Sequence, residues 1–190
     1  MDKKKLVVIG NGMAGARAVE EVLARDGGSM FDIVMLGGEP YGNYNRILLS
    51  NVLNGSQSPN DIMINPLEWY QENGIRLHRG QFIIDVDCAS KAVMSRQGTV
   101  ERYDKLLIAS GSRAFIPPMK GARAASGQLK TGIFGYRGLD DCAAILDYVK
   151  QSKKVVTIGG GLLGLEAARA MKLLGAESHI VHLAGHLLEM

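Results

Sequence analysis

Two glycine runs carry the spacing that admits a diphosphate. Gly10-Asn11-Gly12-Met13-Ala14-Gly15 follows an apolar run at 6–9, and Gly159-Gly160-Gly161-Leu162-Leu163-Gly164 follows another at 155–158. Between a strand and a helix, each glycine of such a run has its own role. The first permits the tight turn, the second lets a phosphate approach bare backbone, and the third lets the helix pack closely on the strand. The phosphates then face free N–H groups and the positive end of the helix dipole. An acid near the end of the following strand is expected to bind a ribose, and Glu39, after Leu36-Gly37-Gly38, is the candidate. In the second run His182 stands at that position and no arginine pair follows, so NADH and NADPH both stay open. Two such turns about 150 residues apart imply two dinucleotides, and hence redox chemistry carried by cofactors.

These turns need strands and helices on either side. Alanine-rich, helix-favouring stretches follow them at 16–24 and 165–174, with stop signals at Gly27-Gly28 and Gly175. Further apolar runs at 31–36 and 179–183 complete two β–turn–α–β units. Between them, 41–53 reads as a loop entering a short helix, 66–73 as a short helix closed by Gly74, and 75–78 as a strand. Short β candidates at 82–86, 92–95 and 99–103 suggest an antiparallel meander, followed by a buried strand at 105–109. After Pro117-Pro118 a Gly/Ala/Ser stretch reads as a crossing between domains, and 140–151 as an amphipathic helix. The expected division is therefore 1–117 and 118–190.

Composition narrows the function further. With 190 residues, 46% hydrophobic content and a net charge of +3, the chain is globular rather than disordered, and its scattered basic residues form no nucleic-acid stripe. The apolar run behind Met1-Asp2-Lys3-Lys4-Lys5 stops at Gly10, too short for a signal core, and no later stretch reaches membrane-spanning length. Cys88 and Cys142 lie far apart in no CxxC spacing, which argues against a redox dithiol and for a reduced, cytoplasmic protein. His78, His179, His182 and His186 share no compact metal spacing, so no metal is expected. The sequence says nothing of oligomeric state.

A third motif adds to the two turns. Tyr103-Asp104-Lys105-Leu106-Leu107-Ile108-Ala109-Ser110-Gly111-Ser112 resembles the second flavin motif of the two-dinucleotide flavoprotein reductases, in which one Rossmann domain holds FAD and an inserted second one holds NAD(P)H. Glu39-Pro40-Tyr41-Gly42-Asn43-Tyr44-Asn45-Arg46-Ile47-Leu48-Leu49-Ser50 is most similar to the module opening NAD(P)H-dependent nitrite reductase large subunits. The resemblance implies an α/β fold: a Rossmann-like FAD-binding domain, with a parallel sheet and an antiparallel meander, then a truncated second Rossmann-like domain for NAD(P)H.

It also implies residue roles. Gly10, Asn11, Gly12, Met13, Ala14 and Gly15 would hold the FAD pyrophosphate, Glu39 its adenosine ribose, and Arg46 the pyrophosphate or flavin. Ile83 would contact the adenine through its backbone, and Ser110 and Gly111 would line the flavin. Gly159, Gly161, Leu162, Leu163 and Gly164 would hold the NAD(P)H phosphates. Glu166, read as lying in the first turn of its helix, would approach the nicotinamide amide. Asn51 replaces a lysine found in related ferredoxin reductases, and Gly38 replaces one of two acids, which leaves the ribose assignment open by one residue. Iron–sulfur or sirohaem modules, or a separate acceptor protein, would receive the electrons. A stand-alone ferredoxin or rubredoxin reductase and a catalytically inactive nucleotide-binding fragment are the competing readings.

Overall fold

The computed structural model describes residues 2–188. The chain opens with β1 (Lys4–Ile9), α1 (Met13–Leu23), α2 (Gly27–Met30), β2 (Phe31–Leu36) and β3 (Asn43–Tyr44). A 3-10 turn at Arg46–Leu48 enters α3 (Leu49–Leu53), and another at Pro59–Ile62 leads to β4 (Met63–Asn65). There follow α4 (Leu67–Glu72), β5 (Arg76–His78), β6 (Ile83–Asp87), β7 (Ala92–Ser95), β8 (Val100–Arg102) and β9 (Lys105–Ile108). After a stretch without regular elements come α5 (Leu139–Val149), β10 (Lys154–Ile158), α6 (Leu162–Leu173) and β11 (Glu177–Val181). Contacts divide the chain into two compact units. One runs to Asn45 and resumes over Met63–Ser112; the other takes Arg46–Ile62 and everything from Arg113 onward. The sequence boundary at 117/118 did not foresee that Arg46–Ile62 groups with the later residues.

The first unit is built on a parallel sheet in the order β5-β2-β1-β9, with Val7 beside Val34 on one side and beside Leu106 on the other. Its central strands are apolar at consecutive positions because both faces are covered. Leu6, Val8, Ile33 and Met35 face a cluster with Val19, Tyr70 and Ile75, while Val7, Ile9, Val34 and Leu36 face Val93. The second of these faces lies under the antiparallel meander β6-β7-β8. Glu101 on β8 ties the meander to the sheet: it accepts from Lys5 at 3.2 Å and lies 3.1 Å from His78 Nε2. The Rossmann-like fold and meander expected from the sequence are thus present.

The second unit has a two-stranded parallel sheet, β10-β11, among the described residues. The α3 helix packs against α5 and α6. Leu49, Val52, Leu53, Leu139, Cys142, Ala168, Ala170 and Met171 are buried.

Several elements differ from expectation: β3 and β4 form a small antiparallel pair that was not foreseen, and α6 begins at Leu162 rather than 165. Gly27-Gly28 does not stop the first helix: Asp26 takes the left-handed conformation, at φ 60°, and the glycines open α2 instead. A side chain on Gly27 would run into Val22, which explains the glycine there. The second strand of the later unit is Glu177–Val181 rather than 179–183, so His182 follows it directly.

Candidate functional site

The first turn is closed by the backbone. Gly10 N–H donates to Leu36 O at 2.8 Å, and Ala109 N–H donates to Ile9 O at 2.8 Å. Gly10 has φ +108°, and a Cβ there would lie 2.1 Å from Ala109 O, so no other residue fits. A Cβ on Gly15 would lie 2.1 Å from Gly10 O. Ala109, Ser110 and Gly111 leave the carboxyl end of β9 as Gly10 leaves that of β1, where the strand order reverses. That is the switch point at which open α/β sheets bind ligands. The structure therefore brings together the two motifs 10–15 and 109–111, which the sequence separates.

The second turn repeats the geometry. Gly159 N–H donates to Val181 O at 2.9 Å, Gly159 has φ +111°, and a Cβ on Gly164 would lie 2.0 Å from Gly159 O. His182 covers one part of it: Gly160 N–H donates to His182 Nδ1 at 3.0 Å, which assigns the ring proton to Nε2. That Nε2 is buried without a partner among the described residues. Leu188 N–H donates to Gly160 O at 2.9 Å, and Leu187 packs on Gly160, whereas nothing lies within 4 Å of a Cβ built on Gly159 or Gly161.

Whether these turns suit a phosphate is tested by how their helices begin. The α1 and α6 helices start from Gly12 and Gly161, with no side-chain cap and no acid in the first turn. Their leading N–H groups are thus left to an external anion. By contrast, α5 carries Asp140 and Asp141 in its first turn, and Asp141 Oδ2 accepts from the N–H of Arg137 at 2.8 Å and of Gly138 at 2.9 Å. Of these three long helices, the two that follow glycine runs keep the donor set a dinucleotide diphosphate requires, and that set fits FAD and NAD(P)H.

The other sequence candidates fall as follows. Glu39 is half-buried, and its backbone is pinned by Gly80 N–H at 3.2 Å. A Cβ on the neighbouring Gly38 would lie 2.8 Å from the exposed Phe82 ring, so an acid there requires that ring to shift. Ile83 begins the meander, its side chain packed with the Val7–Val34 cluster. Arg46 belongs to the second unit and donates to Arg137 O at 2.9 Å. Glu166 is the fifth residue of α6, beyond its first turn, so the dipole argument for an acid there does not apply. Its charge, after burial and Cys142, helps push the Tyr136 phenol above its ordinary range.

Sequence reasoning missed a polar network behind the first turn. Tyr70 is buried; its hydroxyl donates to Asn11 Oδ1 at 2.7 Å and accepts from Asn43 N–H at 3.1 Å. Asn43 in turn donates to Asn65 at 2.8 Å, and Asn65 to Glu20 at 2.9 Å. The asparagines at 43 and 45 were the available signal, since buried amides call for hydrogen-bond partners.

Two nucleotide turns, each at the carboxyl end of a parallel strand, define a two-dinucleotide oxidoreductase. Residues 4–190 match the pyridine nucleotide-disulphide oxidoreductase family, and the chain belongs to it. FAD and NAD(P)H are its cofactors. The chain is 46% identical over its whole length to a nitrite reductase [NAD(P)H] of Bacillus subtilis, covering 23% of that protein. It is 43% identical to an assimilatory nitrate reductase electron transfer subunit of the same organism, over 96% of this chain and 23% of the relative. Among solved structures, NADH:rubredoxin oxidoreductase from Clostridium acetobutylicum superposes with a TM-score of 0.82 at 32% identity, over 95% of this chain and 45% of that one. The chain thus spans under a quarter of the length of the first curated relatives. Despite the family's name, its two cysteines form no pair: Cys88 is exposed, and Cys142 is buried in the other unit. No helix among the described residues is long and apolar enough to cross a membrane.

Proposed function

We propose that the chain is the nucleotide-binding part of a cytoplasmic enzyme that moves electrons from NAD(P)H through FAD to a metal-centre acceptor, in the reduction of nitrite to ammonia. The observation that carries this reading is the pair of uncapped glycine turns in a chain that, over its whole length, is 46% identical to a nitrite reductase. The absence of a dithiol spacing supports an electron-exporting rather than a disulphide-reducing branch.

Under this reading Gly10, Asn11, Gly12, Met13, Ala14 and Gly15 cradle the FAD pyrophosphate, while Glu39 accepts from the adenosine ribose. Ile83 offers backbone to the adenine, Ser110 and Gly111 line the flavin, and Arg46 supplies a fixed cation. In the second unit Gly159, Gly161, Leu162, Leu163 and Gly164 take the NAD(P)H phosphates, and Glu166 approaches the nicotinamide amide. FAD supplies the conversion between a two-electron hydride donor and a one-electron acceptor. The protein's part is to bind and orient its cofactors, with donors fixed before they arrive. Iron–sulfur or sirohaem modules are the acceptors.

The test is to purify the naturally occurring protein anaerobically and follow its visible flavin band on addition of NADH or NADPH, then on addition of nitrite. Bleaching by the nucleotide and recovery with nitrite is the expected result. Recovery with a rubredoxin or ferredoxin but not with nitrite would select the stand-alone reductase instead, a reading to which the lower, 32% identity to rubredoxin oxidoreductase lends less support. A colourless protein that takes up no FAD would overturn both.

A further inference from the structure

The proposed ribose acid is held by a side chain within the 39–50 run to which no role has yet been given. Tyr44 Oη donates to Glu39 Oε2 at 2.6 Å, the length of a charge-assisted O–H···O⁻ bond. Tyr44 is only 3% exposed, sits on β3 against β4, and meets the Tyr41 ring edge-on with centroids 6.4 Å apart. Its hydroxyl is therefore a fixed point. Glu39 is fixed on its other side by the bond from Gly80 N–H to its carbonyl. A carboxylate offers about four acceptor positions, and the phenol takes one of them. The next residue back on the same strand, Asn43, reaches Asn11 of the phosphate turn through the Tyr70 hydroxyl. One two-residue strand thus ties the ribose acid and the phosphate turn to a common support.

We infer that Tyr44 is a positioning residue, which presets the Glu39 carboxylate for the vicinal hydroxyls of the adenosine ribose. This rests on the proposed reading of Glu39 as the ribose acceptor. The physical gain is that the glutamate's rotamer freedom is lost on folding rather than on ligand binding, so it does not subtract from affinity. A ligand without the diol gains little from the arrangement.

The test measures dissociation constants for FAD and for its 2′-deoxyadenosine analogue, by flavin fluorescence, on the apo form of the naturally occurring protein. Wild type, Tyr44→Phe, Glu39→Ala and the double variant are compared, with apo thermal unfolding as the control for folding. Phenylalanine keeps the ring contact to Tyr41 and removes only the donor. The expected result is about tenfold weaker FAD binding by Tyr44→Phe, less than about threefold for the analogue, and little added loss in the Glu39→Ala background. An equal loss for both ligands, or a full multiplication of effects in the double variant, shows that Tyr44 does not act through Glu39 and overturns the inference alone. If Glu39→Ala leaves FAD binding unchanged, the ribose assignment falls and the inference falls with it.

Discussion

At the turn after β1, the first glycine's N–H meets Leu36 O at 2.8 Å; at the turn after β10, its counterpart meets Val181 O at 2.9 Å. Gly10 and Gly159 share a φ near +110°, and Gly15 and Gly164 would each put a Cβ about 2 Å from the carbonyl five residues earlier. The surroundings differ. Gly10 is pressed against Ala109 at the end of β9, while nothing lies within 4 Å of a Cβ on Gly159. Val7 is 0% exposed between two neighbouring strands; Val156, its counterpart, is 56% exposed. A cavity of about 1000 Å³ in the second unit is lined by β10 residues together with Ile116, Phe134, Tyr136 and Tyr148. The backbone of a phosphate turn is therefore set by its own glycines and one neighbouring strand. Burial of the strand that feeds it depends on what lies on the other side.

The largest effects separate these two causes. Gly10→Ala combines a left-handed backbone with a collision against Ala109 O, and should cost more than about 3 kcal/mol, with loss of bound flavin. Gly159→Ala meets only the backbone strain, about 1–2 kcal/mol. Gly15→Ala and Gly164→Ala should match each other, since both meet a carbonyl in the same way. Urea unfolding of the four variants checks the series. Equal costs at Gly10 and Gly159 would show that the β9 side of the first turn does not matter.

The strands give the next largest difference. Val7→Ala removes fully buried methyl groups and should cost about 2 kcal/mol, whereas Val156→Ala should stay within about 0.5 kcal/mol. A third contrast appears only in alkali. Burial, helped by the charge of Asp141, pushes the Cys142 thiol up to about 12 from 9.0. Because the folded value is the higher one, its contribution is intact below pH 9.0 and fades as pH rises towards about 12. The urea midpoint should therefore fall more steeply over that window in the wild type than in Cys142→Ala. Matching slopes would mean that the thiol is not closed off beneath α5. A thiol reagent at neutral pH should label the exposed Cys88 at once and Cys142 only on unfolding.

Much of this was legible from the residues alone, for a physical reason. Strand, glycine turn and helix are local, and the runs at 6–15 and 155–164 fix them through torsion angles and short-range sterics. The meander was legible from short β-type runs separated by turn residues. What was not legible depends on contacts between distant residues. Nothing in the order of residues says that Arg46–Ile62 packs with α5 and α6, or that the Phe82 ring lies against Gly38. The Tyr44–Glu39 bond spans only five residues, yet it rests on β3 pairing with β4 nearly twenty residues later. Glu166 was misplaced by less than a turn, because the helix begins at Leu162, within the glycine motif, rather than after it.

The smallest contrast lies where the two helices end. Each exit needs one residue with positive φ: Asp26 at 60° after α1, and Gly175 at 85° after α6. A side chain at φ near +60° costs about 1 kcal/mol unless it bonds locally. Asp26 does bond locally: the single Ser29 hydroxyl proton is shared between its carbonyl and its carboxylate, each 2.8 Å from Oγ. A Cβ added to Gly175 would meet nothing within 4 Å, so only its torsion matters. Gly175→Ala should therefore cost about 1 kcal/mol and Gly175→Asn roughly half of that, because asparagine tolerates this region better. Asp26→Gly should be nearly neutral, since relief of strain is offset by the lost Ser29–carboxylate bond and by a freer unfolded chain. If Gly175→Ala proves as harmless as Asp26→Gly, the two exits are not set by torsion, and the local account of these helix ends fails where it is simplest to test.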